Sequence, residues 1–259
     1  MITLFLGTAA AALAVLLVAF VIGVRTGKHK GVDVAWGLGF AAVAVTGLVI
    51  TGFTPVGWLV TALTVIWGVR LATHIGLRGR GAPEDPRYAE LLSQAPGNPT
   101  WYAFRMIYLL QGALVWFVSL PVQLAQKYAS PSWWLIIGVV LWLVGFAFET
   151  IGDAQLARFR SSPSSKGQVL DSGLWRYTRH PNYFGDACVW WGLFALACLH
   201  WTGWLTLLSP LVMTWFLARK TGKPLLETHL ARTRPGYPDY VARTSGFFPW
   251  PPRRSVSDR

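Results

Sequence analysis

Seven stretches of this chain are each long and apolar enough to cross a hydrocarbon layer as a helix: about 2–24, 34–52, 56–77, 104–125, 133–152, 183–200 and 203–218. A crossing helix needs about 20 residues, at 1.5 Å each, to span roughly 30 Å. The first run, Ile2 to Val24, has 23 residues and no charge. It is too long for a signal-peptide core, and no small-residue cleavage site follows, so it is expected to be retained. Strict apolar–polar alternation is missing, which excludes a lipid-facing barrel. Charged residues make up 13% of the chain, against about 25% in a soluble domain, so a water-soluble enzyme is excluded. Seven spans use up the 259 residues. The expectation is one all-α, polytopic membrane domain over 1–259, with polar loops at 153–182 and 219–250.

Charge sets the orientation. The net charge is +12, from 23 Lys and Arg against 11 Asp and Glu. A high pI can mark nucleic-acid binding, but the distribution argues otherwise. Twenty-one basic residues fall in the first, third and fifth connections and the C-terminal tail. Only Lys127 falls on the other side, and Arg70 lies within a span. Because Lys and Arg collect in cytoplasmic loops, the N-terminus is placed outside and the C-terminus in the cytoplasm. The charge is thereby explained without nucleic acid. Cys188 and Cys198 share one apolar stretch, lack metal-ligand or disulfide spacing, and are taken as packing residues. Most of the 15 Trp are read as core or interface anchors. The basic end Arg253–Arg259 is expected to be flexible.

Ionisable side chains within spans are costly and usually face a cavity or a partner. Arg70 and His74, Glu149 and Asp153, and Asn182 and Asp186 are pairs four residues apart, each sharing a helix face. Arg70 is too deep for easy snorkelling, and structural pairing with an acid, for which Glu149 is a candidate, is the main rival to a functional reading. Asp33 follows Gly31 at a helix start, where a plain N-cap is as good a reading as a functional one. Gln111 is either interhelical glue or a ligand contact.

The sharpest local pattern is Gly173-Leu-Trp-Arg-Tyr-Thr-Arg-His-Pro-Asn-Tyr-Phe-Gly-Asp186. Arg176, Arg179 and His180 precede a helix that begins at about Pro181, where proline's missing N–H is no loss. A helix N-terminus adds partial positive charge, so this mouth suits a phosphate or pyrophosphate. Asn182 and Asp186, one turn apart, can bond hydroxyls or a carboxamide. No GxGxxG follows a strand, which argues against a Rossmann site.

This stretch resembles the cofactor segment of the steroid 5α-reductases, within the larger group that holds sterol C14-reductases and isoprenylcysteine carboxyl methyltransferases. Leu109–Gly112 with Pro121, and Glu149–Arg160, are similar to further helices of that family, as are Glu227, His229, Tyr237, Tyr240 and Pro249 near the C-terminus. The resemblance is good over about 56–250 and loose before that. It implies NADPH as cofactor, held by Asp153, Arg158, Arg160, Arg179, His180, Asn182, Asp186, Glu227 and Tyr240. It implies reduction of the C4=C5 bond of a 3-oxo-Δ4 steroid, or a related enone lipid, by hydride transfer to the β carbon.

The chain departs from the family at several points. It has Glu149 where the family has Asn, Asp186 where it has Glu, Asp33 for the catalytic Glu and Trp67 near its partner Tyr. Tryptophan offers only an N–H donor, so the carbonyl donor falls to Asp33, if protonated, or to His74 or Tyr108. Trp36, Trp67 and Gln111 are expected to line a substrate pocket entered from lipid. No metal is expected, and the membrane is expected to be a bacterial inner membrane. The alternatives are a membrane methyltransferase using S-adenosylmethionine and a non-catalytic sterol-binding scaffold.

Overall fold

The structure, a computed structural model, describes residues 1–220, 227 and 230–253. His229 and residues 254–259 lie outside them. Among the described residues, six helical segments are long and apolar enough to cross a membrane: Ile2–Thr26, Gly31–Thr51, Pro55–Gly79, Pro99–Tyr128, Leu135–Ser161 and Trp201–Arg219. This is the make-up of a multi-pass membrane protein. The remaining expected crossing is a shorter, 17-residue helix, Pro181–Ala197. Where the sequence suggests one bundle, the backbone groups into two compact units: 1–135 with 196–209, and 136–195 with 210 onward.

The first unit contains α1 (Ile2–Thr26), α2 (Gly31–Thr51), α3 (Pro55–Gly79), the short α4 (Pro86–Ser93) and α5 (Pro99–Ala103). A π-helical turn (Phe104–Leu109), α6 (Leu110–Val118) and α7 (Leu120–Tyr128) follow. Helices α2 and α3 touch backbone to backbone. A Cβ on Gly37 would lie 2.3 Å from the Gly68 carbonyl oxygen, and one on Gly68 2.4 Å from that of Gly37. Pro121, in the first turn of α7, divides the fourth crossing, because it cannot donate to the preceding turn. Gln123 repairs the break: its amide donates to Ser119 Oγ at 3.0 Å while its oxygen accepts from Thr8 of α1 at 2.8 Å.

The two ends of this unit differ in chemistry. Thr54 caps α3 through the Gly57 N–H and reaches the Gln126 carbonyl, and Tyr128 stacks on His200. Around these turns Trp58, Trp133, Trp134, Trp201 and Trp204 are exposed, as in an interfacial aromatic belt. The opposite end carries the charges. There Glu84 accepts the backbone N–H groups of both His29 and Lys30, and Lys30 Nζ donates to the Gly79 and Ala82 carbonyls. One carboxylate thus serves the start of α2, and one ammonium serves the end of α3. Asp33 is therefore not the cap the sequence suggests: α2 starts two residues earlier, with Lys30 as N-cap.

In the second unit α8 (Leu135–Ser161) and α9 (Pro181–Ala197) pack along a ladder of glycines seven residues apart: Gly138, Gly145 and Gly152 on one, Gly185 and Gly192 on the other. A Cβ on Gly145 would lie 2.5 Å from the Gly185 carbonyl oxygen, and one on Gly192 2.7 Å from Trp142 N. Seven residues is two turns, so the small residues recur on one face and let the backbones touch. Helix α8 continues nine residues past its expected end at 152 because no proline interrupts it before Pro163. A last helix, α11 (Tyr237–Arg243), follows α10 (Leu208–Trp215). The chain then runs back over Tyr177–Arg179, with an isolated parallel bridge between Thr178 and Ser245.

Candidate functional site

The glycine ladder decides what meets at the start of α9. A Cβ on Gly152 would sit 3.3 Å from Asn182 N, so α8 passes directly beside the first turn of α9. There Asn182 Nδ2 donates to Asp153 Oδ1 at 3.1 Å, with Asp153 only 6% exposed. Glu149, one turn before Asp153, and Asp186, one turn after Asn182, are also buried. Two of the three i, i+4 pairs of the sequence reading, Glu149/Asp153 and Asn182/Asp186, therefore lie in the contact between these two helices.

Arg179 and His180 converge on one acid. Arg179 Nε donates to Glu227 Oε1 at 2.8 Å, and His180 Nε2 lies 3.1 Å from the same oxygen. Arg179 Nη1 also donates to the Thr244 carbonyl at 2.7 Å and that of Val241 at 3.2 Å. Burial alone would raise the Glu227 carboxyl, but the hydrogen bonds from His180 and Arg179 and the guanidinium charge hold it at about 2. Arg179 and His180, two of the residues expected to meet phosphate, thus form with Glu227 an internal clamp that ties the start of α9 to the C-terminal segment.

Above α8 the Gly173–Arg176 turn is clipped at three points. Leu174 N donates to Gln155 Oε1 at 3.0 Å, Trp175 Nε1 to the Gly152 carbonyl at 3.1 Å, and Tyr240 Oη to the Trp175 carbonyl at 2.5 Å. Gly173 has φ +61, and a Cβ there would strike the Gln155 amide, so glycine is required. Burial pushes the Tyr240 hydroxyl well above its ordinary range. Arg158, Arg160 and Arg176 are exposed at this rim. Cations outside, with an acid and an amide behind them, suit the phosphates and sugar hydroxyls of a dinucleotide in chemistry.

The first unit brings together a different set. Asp33 accepts from Arg87 Nη2 at 2.8 Å on one oxygen and from Tyr88 Oη at 2.5 Å on the other. Both oxygens of Asp33 are thus engaged within this unit. Arg87 is also paired with Asp85, which caps α4 and whose carboxyl is lowered by its hydrogen bonds and ion pair with Arg87 against the opposing effect of burial. Tyr108, on the π-helical turn and 1% exposed, has its hydroxyl 2.8 Å from His29 Nδ1. Burial lowers the His29 imidazole below its ordinary range despite nearby Glu84, which favours the neutral ring. Tyr88 and Tyr108 share one buried cluster with Leu16, Val32, Ala35 and Ile107.

His74 and Gln111 are half-buried, on α3 and α6. Trp67 is fully buried, its ring edge-on to Phe40 at 5.5 Å, and Trp36 meets Phe40 at 5.3 Å. These tryptophans pack the α2–α3 contact. An open cleft of this unit, about 320 Å³, is lined by Phe20, Asn98, Thr100, Trp101 and Phe104. His29, Glu84, Arg87 and Tyr88 were not singled out by sequence reasoning. Asp85 before Pro86, followed by Tyr88, Leu91 and Leu92 at helical spacing, was the available signal for α4.

Among the described residues no group of three or more His, Cys, Asp or Glu is placed to hold a metal ion. No curated protein and no solved structure matches the chain. Residues 19–244, nearly the whole of both units, match the family described as "protein of unknown function (DUF1295)", and the chain belongs to that family.

Proposed function

We propose that the protein is an NADPH-dependent reductase of conjugated C=C bonds in lipophilic ketones, with 3-oxo-Δ4 steroids as the model substrates. The observation that carries the reading is the paired start of α9. There Asp153 and Asn182 are hydrogen-bonded at 3.1 Å, directly after the Arg176–Tyr–Thr–Arg–His180 segment that resembles the steroid 5α-reductases. Arg158, Arg160 and Arg176 would meet phosphate oxygens. Asp153, Asn182 and Asp186 would hold hydroxyls and amide, while Arg179, His180, Glu227 and Tyr240 fix the segment that presents them. Bound NADPH supplies the hydride.

The chain's own part is to orient and to stabilise charge. Conjugate reduction places negative charge on the carbonyl oxygen, and a donor there is worth about 3 kcal/mol or more. Tyr108 has the right chemistry: its hydroxyl is buried and oriented by His29. Asp33, already accepting from Arg87 and Tyr88, fits a positioning role.

The same reading takes Pro181–Ala197 as a seventh crossing. With basic connections inward, this places the N-terminus outside, the C-terminus in the cytoplasm and the protein in a bacterial inner membrane. The test is nucleotide binding and turnover by the purified, reconstituted chain. Expected are tight binding of NADPH and its oxidation on adding progesterone or testosterone. Binding of S-adenosylmethionine without NADPH would replace this reading with the methyltransferase. Lipid binding with neither nucleotide would leave a scaffold.

A further inference from the structure

The C-terminal segment from Thr244 to Arg253 presents large aromatic side chains to the outside from a pinned backbone. Phe248 is 68% exposed and Trp250 71%. They are not on a loose tail. Ser245 O accepts the Arg179 N–H at 2.9 Å, Phe247 O accepts Thr178 Oγ1 at 2.9 Å, and Trp250 N donates to Tyr177 O at 3.0 Å. Pro249, Pro251 and Pro252 restrict φ around the two rings. Holding apolar rings of this size out of a packed core is unfavourable in water unless something apolar covers them.

The cover is indicated by depth and charge. Phe248 packs edge-on to Phe184 in the first turn of α9, at 6.1 Å, and Phe184 packs edge-on to Phe148 of the apolar helix α8, at 5.1 Å. The segment thus lies level with the end of the helix surface that faces hydrocarbon. Tyr177 beside it is also exposed. Arg243 and Arg253 are joined by the Arg253 N–H to Arg243 carbonyl bond at 2.9 Å, and Arg253 and Arg176 are exposed. Rings with an apolar body, flanked by guanidinium groups, match the boundary between acyl chains and anionic headgroups.

We propose that Phe248 and Trp250 anchor this strap in the headgroup layer of the adjacent leaflet, with the exposed Arg176 and Arg253 on anionic lipid and Arg243 held by Asp171. The strap carries the Thr244 and Ser245 carbonyls that hold Arg179, so the lipid surface helps set the position of the start of α9. This inference does not depend on the reductase reading.

The full chain, in nanodiscs of phosphatidylcholine and phosphatidylglycerol, would be spin-labelled at Phe248→Cys or Trp250→Cys. Cys198→Ser removes the partly exposed native thiol, and Cys188 is buried. Expected is a higher ratio of collisions with oxygen to collisions with a water-soluble nickel chelate than at Ser164→Cys, a label on the exposed loop. The same aqueous pattern at all three sites would overturn the proposal. So would exclusion from both relaxers with spin–spin broadening that grows with copies per disc, since a second copy would then be the cover. Should the cysteine variants not fold, Trp250→Phe serves. Brominated lipid is expected to quench wild-type tryptophan emission more than that of the variant, and equal quenching would overturn the anchor.

Discussion

Two clusters of charge, one in each unit, use similar residues to different ends. In the first unit Glu84, Lys30, Asp33 and Arg87 join the ends of helices that already touch elsewhere, with side chains that remain partly exposed. In the second, Arg179, His180 and Glu227 are drawn inward at a helix start, beside a part-buried Asp153–Asn182 pair. The first set staples, and the second gathers acid, amide and cation at one helix start. The difference originates in the glycine ladder. Only where two backbones touch over several turns can acid and amide side chains face each other without an intervening layer of apolar side chains.

The largest effect is therefore expected from the ladder. Gly185→Val places a Cβ 2.4 Å from Glu149 N and 2.5 Å from the Gly145 carbonyl oxygen. Forcing α8 from α9 should cost about 3 kcal/mol of stability. Gly37→Val in the first unit meets an equally close carbonyl, at 2.3 Å, and should cost a similar amount. Thermal unfolding of the reconstituted variants checks both. The comparison sharpens in the folded fraction, where Gly185→Val is expected to lose NADPH binding and Gly37→Val to keep it. Equal loss in both would break the assignment of the cofactor to the second unit.

Next comes Tyr108→Phe. Removing the hydroxyl that bonds His29 should lower turnover on the order of 10²-fold, as for a lost oxyanion donor, while NADPH affinity holds. Loss of affinity with turnover unchanged would exclude Tyr108 as the carbonyl donor.

Glu227→Ala is expected to cost about 2 kcal/mol, less than for a fully buried pair because the carboxylate is partly exposed. It carries its own pH test. The folded carboxyl, at about 2, lies below its ordinary 4.5. The stabilisation is thus fully present above about pH 4.5 and is lost as pH falls toward 2. Acid unfolding followed by far-ultraviolet dichroism should begin at higher pH in Glu227→Gln than in wild type. Coincident curves would show that the clamp contributes nothing.

The membrane helices were legible in the sequence because uncharged runs report burial in lipid directly, and Pro121 marked the break in the fourth, but the spacing of Gly138, Gly145 and Gly152 gained its meaning only from the contact with α9. The start of α9 was legible because Arg179, His180 and Asn182 are neighbours in sequence. What was not legible is long-range pairing. Nothing local says that Glu84 accepts from His29, 55 residues away, or that Arg87 joins Asp33, 54 away. Asp33 followed a glycine at a helix start and carried the local mark of an N-cap, but Glu84 from a distant loop took that task. Trp67 illustrates the reverse case, since a wide aromatic ring in an apolar helix reads equally as pocket wall or as core, and only packing against Phe40 distinguishes them.

The smallest effect is expected at that staple. Asp33→Asn removes the charge opposite Arg87 but leaves an amide oxygen for one of its two donors. The pair is substantially exposed, 46% on the arginine and 25% on the aspartate, so water and salt screen it. A cost of about 1 kcal/mol is expected at low ionic strength, shrinking as salt is raised above the physiological range. Tyr88→Phe separates the two donors: it removes the buried hydroxyl bond at 2.5 Å without touching the ion pair, so its cost should not vary with salt. If Asp33→Asn instead destabilised the chain as much as Glu227→Ala, independent of salt, the first cluster would be a buried network like the second. The contrast between the two clusters would then fail.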